Sequence, residues 1–215
     1  MPPTTPHLVY FADPMCSWCW GFAPVMEAIA AQHPDLPVRL VLGGLRPFTE
    51  TAMDDAAKQR TRQHWEHVAA ASGQPFDFRF FERSGFVYDT EPAARAVVTA
   101  RRLEPGRAFA LQYRIARAFY AENSDVTRTE TLADLAAEAG FDRAQFLDAF
   151  EGEAAKAETL QDFALAQRAG VTGFPTLIAG PQEGGSFLPI TVGYQGPEAV
   201  LARIGMWLEH QIGAD

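Results

Sequence analysis

Apolar positions change period three times along the chain. Leu8-Val9-Tyr10-Phe11-Ala12 is a continuous apolar run, short enough for a buried strand and closed by the Asp13-Pro14 turn. Trp20 to Gln32 reads as a helix that Pro34 helps to end, and strand character returns over Val38-Arg39-Leu40-Val41-Leu42 before Gly43-Gly44. Strand, helix and strand make a βαβ unit, whose right-handed crossover predicts two parallel neighbouring strands. From about Glu50 to Gly170 no strand-like run appears, and Ala, Leu, Glu and Arg recur at helical spacing. Helices are predicted over Asp54 to Ala71 and over Ala93 to Leu103, the latter behind the start signal Asp89-Thr90-Glu91-Pro92. Further helices follow over Arg107 to Tyr120, Glu130 to Ala139, Asp142 to Phe150 and Glu153 to Ala169, the last stopped by Gly170. Strands resume at Phe174 to Ala179 and, across a Gly-rich turn from Gly180 to Gly185, at Leu188 to Val192. A last helix, Pro197 to Gln211, sets Val200, Leu201, Ile204, Leu208 and Ile212 on one stripe that faces the sheet. The sum is an α/β domain interrupted by a helical block.

Composition narrows the function classes. At 215 residues and 47% hydrophobic content the chain has ample material for a core. Its net charge of −9, with no basic cluster longer than Arg101-Arg102, argues against nucleic acid or an anionic membrane as partner. No run reaches the roughly 18 apolar residues of a membrane span. Met1 to His7 shows no basic segment followed by an apolar one, so a cytoplasmic protein is expected.

The chemistry sits in Cys16-Ser17-Trp18-Cys19, which holds both cysteines of the chain. The pair falls at or just before the first turn of the expected helix, where unpaired N–H groups favour a thiolate. A bridge closing so short a loop restrains the unfolded chain little, so its value is chemical. A structural zinc site needs four ligands, and only His64 and His67 are at hand to complete one. Those two are expected on an exposed helix face, and no metal site is expected. Trp18, between the cysteines, is expected to be partly exposed and to contact substrate, whereas Trp20 and Phe22 point inward. Asp13 has two readings: a carboxylate that accepts the Cys19 proton, or the local cap of an Asp-Pro turn.

This order of elements, with C-x-x-C after the first strand and a proline opening the third, resembles a thioredoxin fold. Its helical insertion lies between the second strand and the helix preceding the proline strand. The stretches Asp13 to Phe22 and Gly170-Val171-Thr172-Gly173-Phe174-Pro175-Thr176-Leu177 are similar to the DsbA family, and within it to the leaderless FrnE-like branch of predicted protein disulfide isomerases. Asp89 to Leu103 extends the match more weakly across the middle. The resemblance implies a thioredoxin-like domain over 1–49 and 153–215 and a helical insertion over 50–152. It implies Cys16 as an exposed attacking thiol, Cys19 as the resolving thiol, and a cis Pro175. Gly173, Phe174 and Pro175 would then receive the substrate together with Trp18, supported by Asp13 and Ser17. The family commonly places a smaller residue than Phe174 before this proline. Arg95 resembles a position in the family's insertion helix, although an exposed or ion-paired arginine explains it equally well. Ser17-Trp18 replaces the Pro-His pair of the periplasmic oxidant, whose histidine adds positive charge beside the thiolate, so a less oxidising couple is expected.

The leading expectation is a thiol–disulfide oxidoreductase of reductase or isomerase type acting on protein or low-molecular-weight thiols and disulfides. It would hold no tightly bound cofactor, use glutathione or another thiol reductant as co-substrate, and exist as monomer or homodimer. A rival on the same fold is a glutathione-dependent transferase or isomerase of the kappa type, in which Ser replaces the first cysteine and the resolving cysteine is missing. A third reading is a non-enzymatic module that holds client peptides on the apolar rim.

Overall fold

The computed structural model describes residues 6–181 and 186–212, with the side chains of 211 and 212 left aside. Of the predicted hairpin turn, residues 182–185 lie outside the described residues, as does the side chain of Ile212. Four strands form one sheet in the order β2-β1-β3-β4: β1 His7–Ala12, β2 Val38–Leu42, β3 Thr176–Gly180 and β4 Leu188–Val192. The first two strands are parallel, as the crossover rule predicts, with Tyr10 opposite Leu40. The other pairs are antiparallel, and the β3–β4 register slips between Leu177 and Ile178, where Pro189 stands opposite Ile178. A proline is tolerated there because β4 is an edge strand.

Every residue of β1 is buried because both faces of the strand are used. Leu8, Tyr10 and Ala12 face the main core, while Val9 and Phe11 pack with Val41 and Ala166 on the other side. The expected single helix after β1 is two helices, α1 Ser17–Gly21 and α2 Ala23–Gln32. Pro24, in the first turn of α2, has no N–H to offer the carbonyl four residues back, so the ladder breaks at Phe22.

The helical block consists of α3 Asp55–Ser72, α4 Glu91–Leu103, α5 Ala108–Tyr120, α6 Thr129–Glu138, α7 Arg143–Glu151 and α8 Glu153–Arg168. Asp54 and Asp142 cap α3 and α7, accepting from Ala57 N–H and Gln145 N–H. Residues 73–90 hold two features that the pattern does not announce. Phe78–Glu82 forms a 3-10 turn, and Ala52 bridges Val87. The turn supplies Phe80 and Phe81, which pack with Phe119 and Tyr120 around Trp65 at centroid distances of 4.9–5.8 Å. Apart from the smaller group around Val9 and Phe11 on the other face, buried residues of sheet and block join in one continuous cluster, from Leu8 and Tyr10 through Ala96 and Phe119 to Phe146. The chain is thus a thioredoxin-like α/β fold with a large helical region. The last helix, α9 Pro197–Ile212, buries Val200, Ile204 and Trp207, and leaves Leu201 and Leu208 half-buried.

Candidate active site

Cys16 caps α1 with extended backbone, its N–H donating to the Asp13 carbonyl at 3.0 Å, and Cys19 follows in the same short helix. Both thiols are free. Opposite them runs the 173–175 loop, where the Phe174–Pro175 peptide bond is cis. The strand begins only at Thr176, two residues after the expected Phe174, because Pro175 has no N–H for the ladder. Cys16 Sγ donates to the Phe174 carbonyl at 3.5 Å, which ties the thiol to the residue before the proline.

A cleft of about 670 Å³ opens above this contact, lined by Cys16, Ser17 and Trp18 on one side and by Gly173 and Phe174 on another. The expectation of an exposed Cys16 is corrected here. It is 5% exposed and Cys19 4%, so Cys16 forms part of the cleft floor. As the helix cap it is tied to the Asp13 carbonyl through its N–H, and its thiol lies against the Phe174 carbonyl. Cys19 does not line the cleft. Trp18 is half-buried, with its ring 5.2 Å from Tyr194 and 5.8 Å from His64, and Trp20 and Phe22 are buried. Trp20 Nε1 donates to the Pro75 carbonyl at 3.0 Å.

The large residue before the proline has a structural counterpart. A Cβ on Gly43, just after β2, would lie 1.9 Å from Phe174 Cζ. The ring therefore occupies the space that a side chain at position 43 would take, and residue 43 must be glycine for Phe174 to lie there.

Burial dominates the electrostatics. Cys19 is held well above the ordinary thiol range, first by burial and then by its hydrogen bond and charge interaction with Cys16. Tyr10, on the strand beneath, is likewise raised by burial and by the neighbouring Cys19. Asp13 is fully buried, and its two oxygens accept from Met15 N–H and Leu45 N–H, each at 2.8 Å. It thereby fixes the cysteine turn to the loop after β2. The cap reading of Asp13 matches this geometry, and its charge also acts on Cys19. Burial lifts the Asp13 carboxyl from 3.8 to about 6, against the two backbone donors that lower it.

A pH dependence follows. Because the folded protein holds the Asp13 proton more tightly than the unfolded chain does, the Asp13 contribution to stability is largest below about pH 4. It falls as pH rises towards 6 and is flat above 7. The wild-type minus Asp13→Asn difference in unfolding free energy should fall by about 3 kcal/mol across that window. Urea titrations at several pH values measure it, and a difference independent of pH would contradict it.

Other residues of the cleft carry no redox signal in the sequence. Arg46, Arg60, His64 and Tyr88 all line it. Ala57, Arg60, Thr61 and His64 recur at spacings of three and four on α3, a pattern that reads as an ordinary solvent face until the helix is docked. Arg95 stands apart from the cleft, paired with Glu91 at 2.8 Å and lying 4.0 Å over the Phe150 ring. Among the described residues no three His, Cys, Asp or Glu side chains converge as a metal site would require.

The fold and the paired cysteines define the class: this is a thiol–disulfide oxidoreductase. The chain belongs to the DSBA-like thioredoxin domain family, whose family model matches residues 7–205. It is similar to a candidate protein disulfide isomerase from Nitrosomonas europaea, at 38% identity and TM-score 0.89, covering 96% of this chain and 98% of that one. It is also similar to the cytosolic disulfide reductase DsbM from Pseudomonas aeruginosa, solved with GSH, at 29% identity and TM-score 0.77 over 94% and 99% of the two chains. A 2-hydroxychromene-2-carboxylate isomerase shares the fold at TM-score 0.67 and 14% identity, over 97% and 98%. Among curated proteins none matches. No helix among the described residues is long and apolar enough to cross a membrane.

Proposed function

We propose that the protein is a disulfide reductase or isomerase in which Cys16 attacks and Cys19 resolves, with Gly173, Phe174 and cis-Pro175 receiving the substrate. The observation that carries this reading is the asymmetry of the pair: Cys16 lines the cleft beside Phe174, and Cys19 lies behind it with its thiol held protonated. The Cys16 thiolate attacks a substrate sulfur, the substrate S–S bond breaks, and a mixed disulfide forms. Cys19 then loses its proton and attacks Cys16 Sγ, which releases the substrate as thiol and leaves the Cys16–Cys19 disulfide. Asp13, acting on Cys19 and lifted to about 6, is suited to take that proton at neutral pH.

Two small thiols restore the dithiol, and glutathione is the reductant that this reading favours. The similar DsbM is described as a cytosolic disulfide reductase and was solved with GSH, which supports both the reductant and a cytoplasmic setting. The transferase reading has the shared fold in its favour, but both thiols stand in this chain where that chemistry needs no resolving partner. The domain division of 1–49 with 153–215, around 50–152, is retained as part of the proposal.

Equilibration of the Cys16–Cys19 couple with glutathione tests the direction of the chemistry. The expected potential lies between about −180 and −270 mV, the span from disulfide isomerase to thioredoxin. A potential as high as about −120 mV, that of the periplasmic oxidant, would overturn the reductase or isomerase assignment.

A further inference from the structure

Arg46 and Arg60 differ from most arginines of this chain. Acidic side chains outnumber Lys and Arg by 27 to 18, and among the described residues most arginines take an acidic partner, although Arg39, Arg83, Arg128, Arg168 and Arg203, outside the cleft, do not. Arg101 pairs with Glu158 and Asp162, and Arg114 pairs with Glu122 and Glu138. Among the described residues neither Arg46 nor Arg60 has an acidic partner within ion-pair distance, and no Asp or Glu lines the cleft that both share with Cys16. In a chain of net charge −9, an acid-free wall with two unpaired guanidinium groups beside a reactive thiol has a chemical consequence. It concentrates anions where the sulfur exchange takes place.

Arg46 is held in place. Its N–H donates to Thr90 Oγ1 at 3.0 Å, and its carbonyl accepts from Thr90 N–H at 3.3 Å, pinning the loop to the start of α4. Its guanidinium lies 4.9 Å over the Tyr88 ring, and the Tyr88 hydroxyl donates to the carbonyl of Met15, next to Cys16, at 2.8 Å. Arg60 approaches from α3, one turn before the His64 that packs edge-on against Trp18. Burial, His67 and Arg46 hold His64 below its ordinary range, so the fixed charge of this wall at neutral pH is that of the two arginines.

We propose that Arg46 and Arg60 form a carboxylate-recognition wall that selects small anionic thiols, and their disulfides, as the electron-exchange partners of the Cys16–Cys19 pair. The inference rests on the thiol exchange at Cys16 proposed above. In the reductive half-reaction a small thiolate bonds to Cys16 Sγ as the Cys16–Cys19 bond breaks. Cys19 takes the electron pair and then a proton. A second thiolate attacks the small-molecule sulfur of the mixed disulfide, expels the Cys16 thiolate, and leaves as the symmetrical disulfide. Two thiols are oxidised and one protein disulfide is reduced; of the two thiol protons one ends on Cys19 and the other passes to solvent, leaving Cys16 as the thiolate. The carboxylates of the small thiol meet the arginines.

The test is the rate at which the oxidised full-length protein is reduced by glutathione (anionic), 2-mercaptoethanol (neutral) and cysteamine (cationic). Each rate is followed by tryptophan fluorescence and normalised to the same thiol's rate with hydroxyethyl disulfide. An exposed charge pair supplies at most about a fivefold preference, so two arginines should favour glutathione over 2-mercaptoethanol by about tenfold at low salt, with cysteamine slowest. Arg46→Gln/Arg60→Gln should bring the three normalised rates within about twofold of one another, and Arg46→Lys/Arg60→Lys should keep the order. High salt should act on the wild type as the glutamine variant does. Equal normalised rates in the wild type, or a preference that survives in the glutamine variant, would overturn the arginine wall alone. Failure of every thiol to reduce the pair would overturn the exchange reading together with it.

Discussion

Cys16→Ser is expected to abolish disulfide reduction, with a loss of roughly a thousandfold or more, because it removes the thiol that lines the cleft and is proposed as the nucleophile. Cys19→Ser has a different expected outcome: it accumulates covalent adducts. Attack by Cys16 still forms the mixed disulfide, but a serine hydroxyl cannot displace the substrate from Cys16 Sγ. The two thiols are one turn apart on the same short helix and almost equally shielded, so exposure alone does not assign these roles. What separates them is the side they face. Cys16 donates to the Phe174 carbonyl at the cleft, whereas Cys19 is packed towards Tyr10 and is held protonated by burial. Insulin-reduction turnover and mass spectrometry of the purified variants read the two outcomes. Normal turnover by Cys16→Ser, or adducts trapped on Cys19 in that variant, would reverse the assignment.

The largest expected loss of stability comes from a residue far from the cysteines. Arg101→Met should lower the unfolding free energy by about 3–5 kcal/mol, a large share of what a domain of this kind has. Strand β2 is an edge of the sheet, and its outer backbone groups meet side chains instead of another strand. Arg101 Nη1 donates to the Leu40 carbonyl at 2.9 Å and to Asp162 Oδ2 at 2.8 Å, and that same oxygen accepts from Leu42 N–H at 2.9 Å. Asp162 is 5% exposed, so removing the guanidinium leaves a buried carboxylate with a single backbone donor. The Leu40 carbonyl loses its partner as well. Urea unfolding of the variant should show a lower midpoint at an unchanged slope. A loss below about 1 kcal/mol would place the pair with ordinary surface bridges.

Much of this architecture is legible in the residue pattern, and the gaps have definite causes. All four strands and most helix limits follow from period, caps and breakers, because those signals act within a turn or two of backbone. The break at Phe22 is the exception close to the cysteines. Pro24 was present to announce it, but a proline near a helix start is as compatible with continuing a helix as with beginning a new one. The 3-10 turn at Phe78–Glu82 is irregular backbone held by aromatic packing on Trp65, which no local period encodes. Within the site, the cysteine pair and the proline loop are visible as motifs. Arg46, Arg60, His64 and Tyr88 are not, since each is an unremarkable residue until three separate segments meet around Cys16.

Residue pattern alone decides that there is a strand closed by Asp13-Pro14, that two thiols follow it two residues apart, and that a proline stands before a later strand. These are properties of adjacent residues, governed by backbone propensity and covalent spacing. Only the packed chain decides which thiol faces the cleft, that Gly43 leaves room for the Phe174 ring, and that a buried Asp13 joins the cysteine turn to the arginine-bearing loop. Those depend on burial and on distances between segments tens of residues apart. Solvation and charge, unlike helical period, take their values from whatever the fold brings near.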